Sequence, residues 1–289
     1  MIRILFSLLL SFLPALLGPS VLAAESGVYG KVDCERFKGQ CIISGLGIRG
    51  PIDSSTTAKL NEIFAEFGRR TDAKRQPDGF AHTTIELDSP GGSVAEAMAI
   101  GRLLRKNRIT AKVPLLARCS SACVLIYAGA VVRYGHFRSG RIGIHQPFFD
   151  NVTGPIDAEK IRAKYSALLN EMRAYLREMN VSEQLADEML KTPSTSIRYL
   201  THDEQDRLGL VIFDPVEVEI GNVEHTRELG ISRAEYNRRE ALILSQCPLD
   251  SNYRQCNEAF YKTGKPPELD LSDFGTPVPE YLHPPKHSR

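Results

Sequence analysis

Tryptophan is absent from the 289-residue chain, and by itself that absence excludes no function. The lack of a dominant charge is more telling. Thirty-six Lys and Arg stand against 35 Asp and Glu, a net charge of +1. There is no basic field of the kind that holds nucleic acid, so no nucleic-acid partner is expected. C-x-x-C pairs are lacking and no histidine lies at finger spacing from a cysteine, a pattern that argues against a structural zinc. Neither a metal nor a cofactor is expected. Internal repeats are absent as well. Beyond the first two dozen residues no apolar run is long enough to span a bilayer.

What is present is ordinary for a globular protein: 42% hydrophobic and 25% charged residues. The length fits one large domain, or one domain with an appendage. Met1-Ile2-Arg3 is a short positive start, residues 4–17 are almost wholly apolar, and Val21-Leu22-Ala23-Ala24 ends in small residues. This pattern predicts a secretory signal peptide over residues 1–24, with an uncleaved anchor as the alternative. The mature protein is then expected in the periplasm or secreted, with no membrane association after cleavage. Six cysteines suit that compartment. They fall into close pairs, Cys34 with Cys41, Cys119 with Cys123, and Cys247 with Cys256. Sequence alone leaves the connectivity open, and local pairing is preferred for the first and last.

Residues 27–52 hold two β-like runs around Gly39 and read as a hairpin. Asp53 or Ser54 caps a helix carrying Leu60, Ile63, Phe64 and Phe67 on one face. A polar connector covers 69–79. Strands are predicted over 83–87, 109–117, 131–134 and 140–144, with helices over 93–106 and 122–128, the second apolar all round and therefore buried. Such alternation indicates an α/β fold with a parallel sheet and crossover helices. Residues 157–179 form a long amphipathic helix, either a handle for self-association or a core element. Helices over 181–190 and 203–208 and a strand over 210–213 complete a domain assigned to 25–214. Residues 215–289 are read as a small helical extension that contains a disulfide. It has a helix over 232–245, a turn between Cys247 and Cys256, and a Pro-rich disordered tail.

Three predicted strand ends carry chemistry. Ser89-Pro90-Gly91-Gly92 lies between a strand and a helix. Proline fixes φ and the glycines let the backbone turn with its N–H groups exposed, which suits an oxyanion hole as well as an ordinary βα turn. Cys119-Ser120-Ser121-Ala122-Cys123 opens the buried helix. One serine can cap that helix while the other reacts, and the following N–H can join Gly91 as a donor. The two cysteines bracketing Ser121 either rigidify the turn through a disulfide or are simply small buried residues. Ile144-His145-Gln146-Pro147 ends a strand on a histidine, which is either a core residue or a group at the carboxyl end of the sheet, where open α/β sheets place ligands. Taken together they supply the hydroxyl, base and fixed donors of acyl transfer.

Residues 46–213 resemble the Clp protease proteolytic subunit, within the Clp/crotonase superfamily. The matching residues are Ser89-Pro90-Gly91-Gly92, Ser121 with its small flanks, and Ile144-His145-Gln146-Pro147. Arg198-Tyr199-Leu200 and Gly209-Leu210-Val211 are similar to the family's later R-F-L and G-L-V block. The resemblance implies a ββα superhelical core, Ser121 as nucleophile and His145 as general base. It also implies an oxyanion hole from Gly91 and Ala122 with Gly92 in the same turn, a peptide or protein substrate, and a homo-oligomer. One position departs: the family's acid falls on Ile197, and residues 193–198 hold no carboxylate. Ser194, Ser196, a backbone carbonyl, or Asp150 or Asp187 from elsewhere are the candidates to orient His145 in its place. The expected function is a periplasmic Clp-like serine peptidase. The alternative is a catalytically weak or inactive relative that binds peptides or protein partners in the same groove. Acyl-CoA chemistry of the crotonase kind suits an exported chain poorly.

Overall fold

The computed structural model describes residues 27–37, 40–71, 83–134, 140–149, 157–210, 213–247 and 252–267. The expected leader, Asp150 and the Pro-rich tail lie outside them. The chain divides into two compact units, residues 1–214 and residues 215–289.

In the first unit, β1 (Gly27–Phe37) and β2 (Gln40–Arg49) form the expected antiparallel hairpin, with Cys34 bonded to Cys41. Asp53 then starts α1 (Ser54–Arg70), its carboxylate accepting from the Ser55 and Thr56 amides while the Thr56 hydroxyl accepts from the Asp53 amide. The predicted apolar face, Leu60, Ile63, Phe64 and Phe67, is buried. Asp53→Ala removes this reciprocal cap and should lower stability by about 1 kcal/mol, read as a fall in the urea midpoint at unchanged m-value.

A parallel sheet follows. β3 (Thr84–Asp88), β4 (Thr110–Lys112) and β6 (Val132–Tyr134) extend β2 in the order β1-β2-β3-β4-β6. The crossover helices are α2 (Val94–Lys106), capped by Ser93, and α3 (Cys123–Gly129), every residue of which is buried. Gly101 and Gly129 let these two helices touch backbone to backbone, since a Cβ on Gly129 would lie 2.4 Å from the Gly101 Cα.

The strand expected over 109–117 forms only as β4. It breaks at Pro114, which has no N–H to give a ladder, and at Leu116, which takes a left-handed φ of +71°. After the break the chain enters a second sheet. There β5 (Arg118–Ser120) pairs in parallel with β7 (Arg141–Ile144), and β8 (Arg198–Tyr199) adds antiparallel to β7. The middle of the strand expected over 210–213 lies outside the described residues; Phe213 makes an isolated antiparallel bridge to Val132.

Of the long helix α4 (Ala158–Glu178), only Met172, Tyr175 and Leu176, in its C-terminal half, are buried. α5 (Gln184–Leu190) and α6 (His202–Arg207) complete the unit, α6 being capped by Thr201. A buried ion cluster closes the chain here. Fully buried Asp214 takes Arg105 at 2.8 Å, fully buried Arg133 at 3.4 Å and the Asn180 amide at 3.1 Å. Burial pushes the Arg133 guanidinium down from its usual range, and Asp214 beside it acts the other way.

Among its described residues the second unit has three helices. α7 (Pro215–Glu228) was not expected, because its apolar residues do not make one clean stripe. α8 (Arg233–Gln246), a helix expected over 232–245, starts on a Ser232 cap. α9 (Tyr253–Thr263) occupies a stretch read only as turn and polar chain. The Cys247–Cys256 bond joins α8 to α9 over a small core with Ile243 and Phe260. Among the described residues no helix is long and apolar enough to cross a membrane.

Candidate active site

Three strand ends of the first unit meet side by side. β5 pairs with β7 so that Ser120 lies opposite Gly143, and the Ser121 amide donates to the Gly143 carbonyl at 2.9 Å. β7 ends at Ile144 and His145 follows at once. Because the two strands are parallel, Ser121 and His145 leave neighbouring strands at the same end. The end of β3 joins them through a parallel bridge between Ser89 and Cys119, with the Ser89 amide donating to Arg118 and the Ser120 amide to Ser89.

Ser121 sits in the turn between β5 and α3 with φ of +56°. Left-handed backbone costs a non-glycine residue about 1–2 kcal/mol, so its surroundings must hold it there. Gly91 packs directly on that turn. A Cβ at Gly91 would lie 2.6 Å from the Ser121 Cβ, 2.8 Å from the Ser120 carbonyl oxygen and 3.0 Å from the Ala122 nitrogen, and its φ is +105°. Only glycine allows this approach. The amide of Gly91 donates to the Ser89 hydroxyl at 3.0 Å. Gly92 faces elsewhere, its Cα being pressed against the Ile52 backbone. The Cys119–Cys123 disulfide is formed and spans the turn, both cysteines being fully buried. Ser120 points the other way. Its hydroxyl is buried, has no hydrogen-bond partner, and lies 2.7 Å from where a Cβ on Gly143 would be.

His145 is 5% exposed. Its Nδ1 lies 2.8 Å from the carbonyl oxygen of Gln146, whose own amide is anchored to the Thr192 carbonyl. A carbonyl can only accept, so Nδ1 carries the proton and Nε2 is left as an acceptor. The Ser121 hydroxyl is half-buried and makes no hydrogen bond to the imidazole in this structure.

The other candidates to orient His145 are placed elsewhere. Asp187 pairs with Arg173 at 2.8 Å, and the Ser196 hydroxyl donates to the Pro193 carbonyl. Ser194 is half-buried and makes no bond to the ring. Ile197, by contrast, is in the site. β8 pairs with β7 so that Tyr199 faces Gly143 and Arg198 faces Ile144, and Ile197 comes just before the paired residues. Its Cγ2 lies 2.6 Å from where a Cβ on Gly143 would be. An aliphatic side chain therefore packs beside Gly143, two residues before His145, at the position where the resemblance expects a carboxylate. Arg198, held between Glu188 and Glu204, fixes β8 in this register.

Two features had no clear sequence signal. The Gln146 carbonyl is a backbone group, and nothing in residue types marks which backbone oxygen a ring will meet. A groove of about 520 Å³ also opens beside the base, lined by Pro147, Phe148, Ala158, Ile161 and Tyr165. The Phe148 ring stacks on His145 at 5.9 Å, and Phe149 meets Tyr165 edge-on at 6.3 Å. Phe148 and Phe149, three and four residues after the strand-end histidine, are its trace in the sequence. Among the described residues no three His, Cys, Asp or Glu gather as a metal site.

Comparison with known proteins bears on the same segment. Residues 77–212 match the Clp protease family. The chain is 28% identical over 135 residues to the ATP-dependent Clp protease proteolytic subunit 2 of Corynebacterium jeikeium, an alignment covering 45% of this chain and 63% of the relative's length. Among solved structures it is similar to a mutant of a membrane-bound stomatin-specific protease, at 22% identity, 57% of this chain, 75% of that one and a TM-score of 0.40. It is also similar to a mutant of ClpP1 from Listeria monocytogenes, at 19% identity, 57% of this chain, 86% of that one and a TM-score of 0.41. The family match spans all three strand ends, so the likeness to Clp proteases covers the whole candidate site.

Proposed function

We propose that the protein is a Clp-type serine peptidase that works outside the cytoplasm. His145 Nε2 takes the proton of the Ser121 hydroxyl as that oxygen attacks a peptide carbonyl, and it later returns the proton to the leaving amine. The Ala122 amide and the Gly91 amide hold the oxyanion, the second turning to it from Ser89. Water then hydrolyses the acyl-enzyme. The apolar groove beside the imidazole favours a bulky apolar side chain next to the scissile bond. The predicted leader and the three disulfides support an oxidising compartment. Self-association is carried over from the resemblance, and the part-exposed N-terminal half of α4 leaves surface for it.

One observation carries this reading: the β5–β7 register, which sends Ser121 and His145 out of the same end of one sheet. A second reading, a weak or inactive peptide-binding relative, is favoured by Ile197 at the acid's place and by the commitment of the Gly91 amide to Ser89. Purified protein given casein and a peptide library separates the two. Cleavage after bulky apolar residues, lost in His145→Ala, supports the peptidase. Binding of the same peptides without turnover, unchanged in His145→Ala, supports the binder.

A further inference from the structure

We propose that the Cys119–Cys123 disulfide positions the nucleophile, holding Ser121 in the left-handed turn that presents its hydroxyl to His145. The inference rests on Ser121 as nucleophile and adds two positioning residues that belong neither to the reacting pair nor to the donors. Cys119 is the middle residue of β5 and Cys123 the first of α3. Their bond closes a covalent ring over Ser120, Ser121 and Ala122 alone, with Ser121 at its centre and both sulfurs out of solvent.

Ser121 needs such a restraint. Its φ of +56° is one that serine leaves readily, and its own side chain makes no hydrogen bond that would keep it there. The other holds on its backbone are single hydrogen bonds, from the Ser121 amide to Gly143 and from the Val124 amide to the Ser121 carbonyl. Hydrogen bonds of that kind exchange with water at modest cost, whereas the ring cannot open without breaking a covalent bond. Gly91 abuts the ring, and the Ala122 amide is part of it. A relaxed turn therefore displaces hydroxyl and oxyanion donor together. Cys34–Cys41 and Cys247–Cys256 serve differently, one crossing a hairpin and the other joining two helices, and neither encloses a residue of the site.

The test compares wild type, Cys119→Ala/Cys123→Ala, and Cys34→Ala/Cys41→Ala. It reads the rate of fluorophosphonate labelling at Ser121, kcat and KM for a cleaved peptide, and the thermal midpoint. Loss of the ring should lower labelling and kcat on the order of 10²-fold, with KM within about twofold, because misplacing a reacting atom costs alignment rather than binding. The Cys34/Cys41 variant should keep the wild-type rate per folded molecule. A lower thermal midpoint with unchanged rate per folded molecule in the Cys119/Cys123 variant would make the bond purely structural and overturn the proposal. If that variant does not fold, Cys119→Val/Cys123→Ala, which restores volume, takes its place. Failure of both to fold also assigns the bond to folding and overturns the positioning role. Absence of labelling in the wild type defeats the nucleophile itself, before any cysteine is changed.

Discussion

Ser121→Ala should abolish covalent labelling by a fluorophosphonate probe and lower kcat/KM for peptide cleavage on the order of 10⁴-fold or more. The size follows from what is left behind. The Ala122 and Gly91 amides still stand where an oxyanion would form, but no oxygen is held to attack, and water must enter without a fixed trajectory. The fold should not notice. The Ser121 hydroxyl makes no hydrogen bond, so its removal leaves no buried partner unsatisfied, and alanine tolerates a left-handed φ no worse than serine does. Stability should stay within about 0.5 kcal/mol of wild type. Ser120→Ala is the matched control. That hydroxyl is 2% exposed and turned toward Gly143, away from any approaching reagent, so labelling should persist. Loss of labelling in Ser120→Ala but not in Ser121→Ala would put the nucleophile at the wrong serine.

The contrast between neighbouring serines shows where sequence stops. Two adjacent serines at a helix start permit a cap and a nucleophile but do not say which is which. Their surroundings differ: Ser120 is 2% exposed, while Ser121, in a left-handed turn, is half-buried. Elements whose signal is local were readable. Asp53, one of the two caps expected, starts α1, and the four apolar residues of α1 are buried as their spacing requires. Elements whose signal is long-range were not. The break after β4 is marked by Pro114, but nothing in residues 109–117 says that the chain changes sheets there. α7 carries Val216, Val218, Ile220 and Val223 as exposed residues, so no buried stripe advertises a helix. In the site, residue types named the hydroxyl, the imidazole and the glycine turn. The partner of His145 Nδ1 was hidden because a main-chain carbonyl belongs to every residue type alike.

Ile197→Asp should raise kcat for peptide cleavage by about ten- to a hundredfold. Continuing the β7–β8 register by one pair would set residue 197 across from His145, and the Ile197 side chain already lies beside Gly143. Facing side chains in an antiparallel pair have Cβ atoms about 4.5–5.5 Å apart, within reach of a carboxylate oxygen for Nδ1. Ile197 is 41% exposed, so the new charge keeps part of its hydration and carries no large burial cost. Its effect is electrostatic. As Ser121 gives up its proton, the ring becomes an imidazolium, and a carboxylate beside it stabilises that charge where a methyl group cannot. The gain is bounded because the Gln146 carbonyl already fixes the tautomer. Wrong tautomer, rather than missing charge, is what makes loss of the acid so costly in a complete triad. Ile197→Asn separates the two contributions, since it offers an acceptor of the same shape without charge. Asp well above Asn, and Asn near wild type, is the expected order. Equal rates for Asp and Asn would remove the charge argument. A rate in Ile197→Asp no higher than wild type would show that the main-chain carbonyl alone already does for His145 all that a carboxylate at this position could.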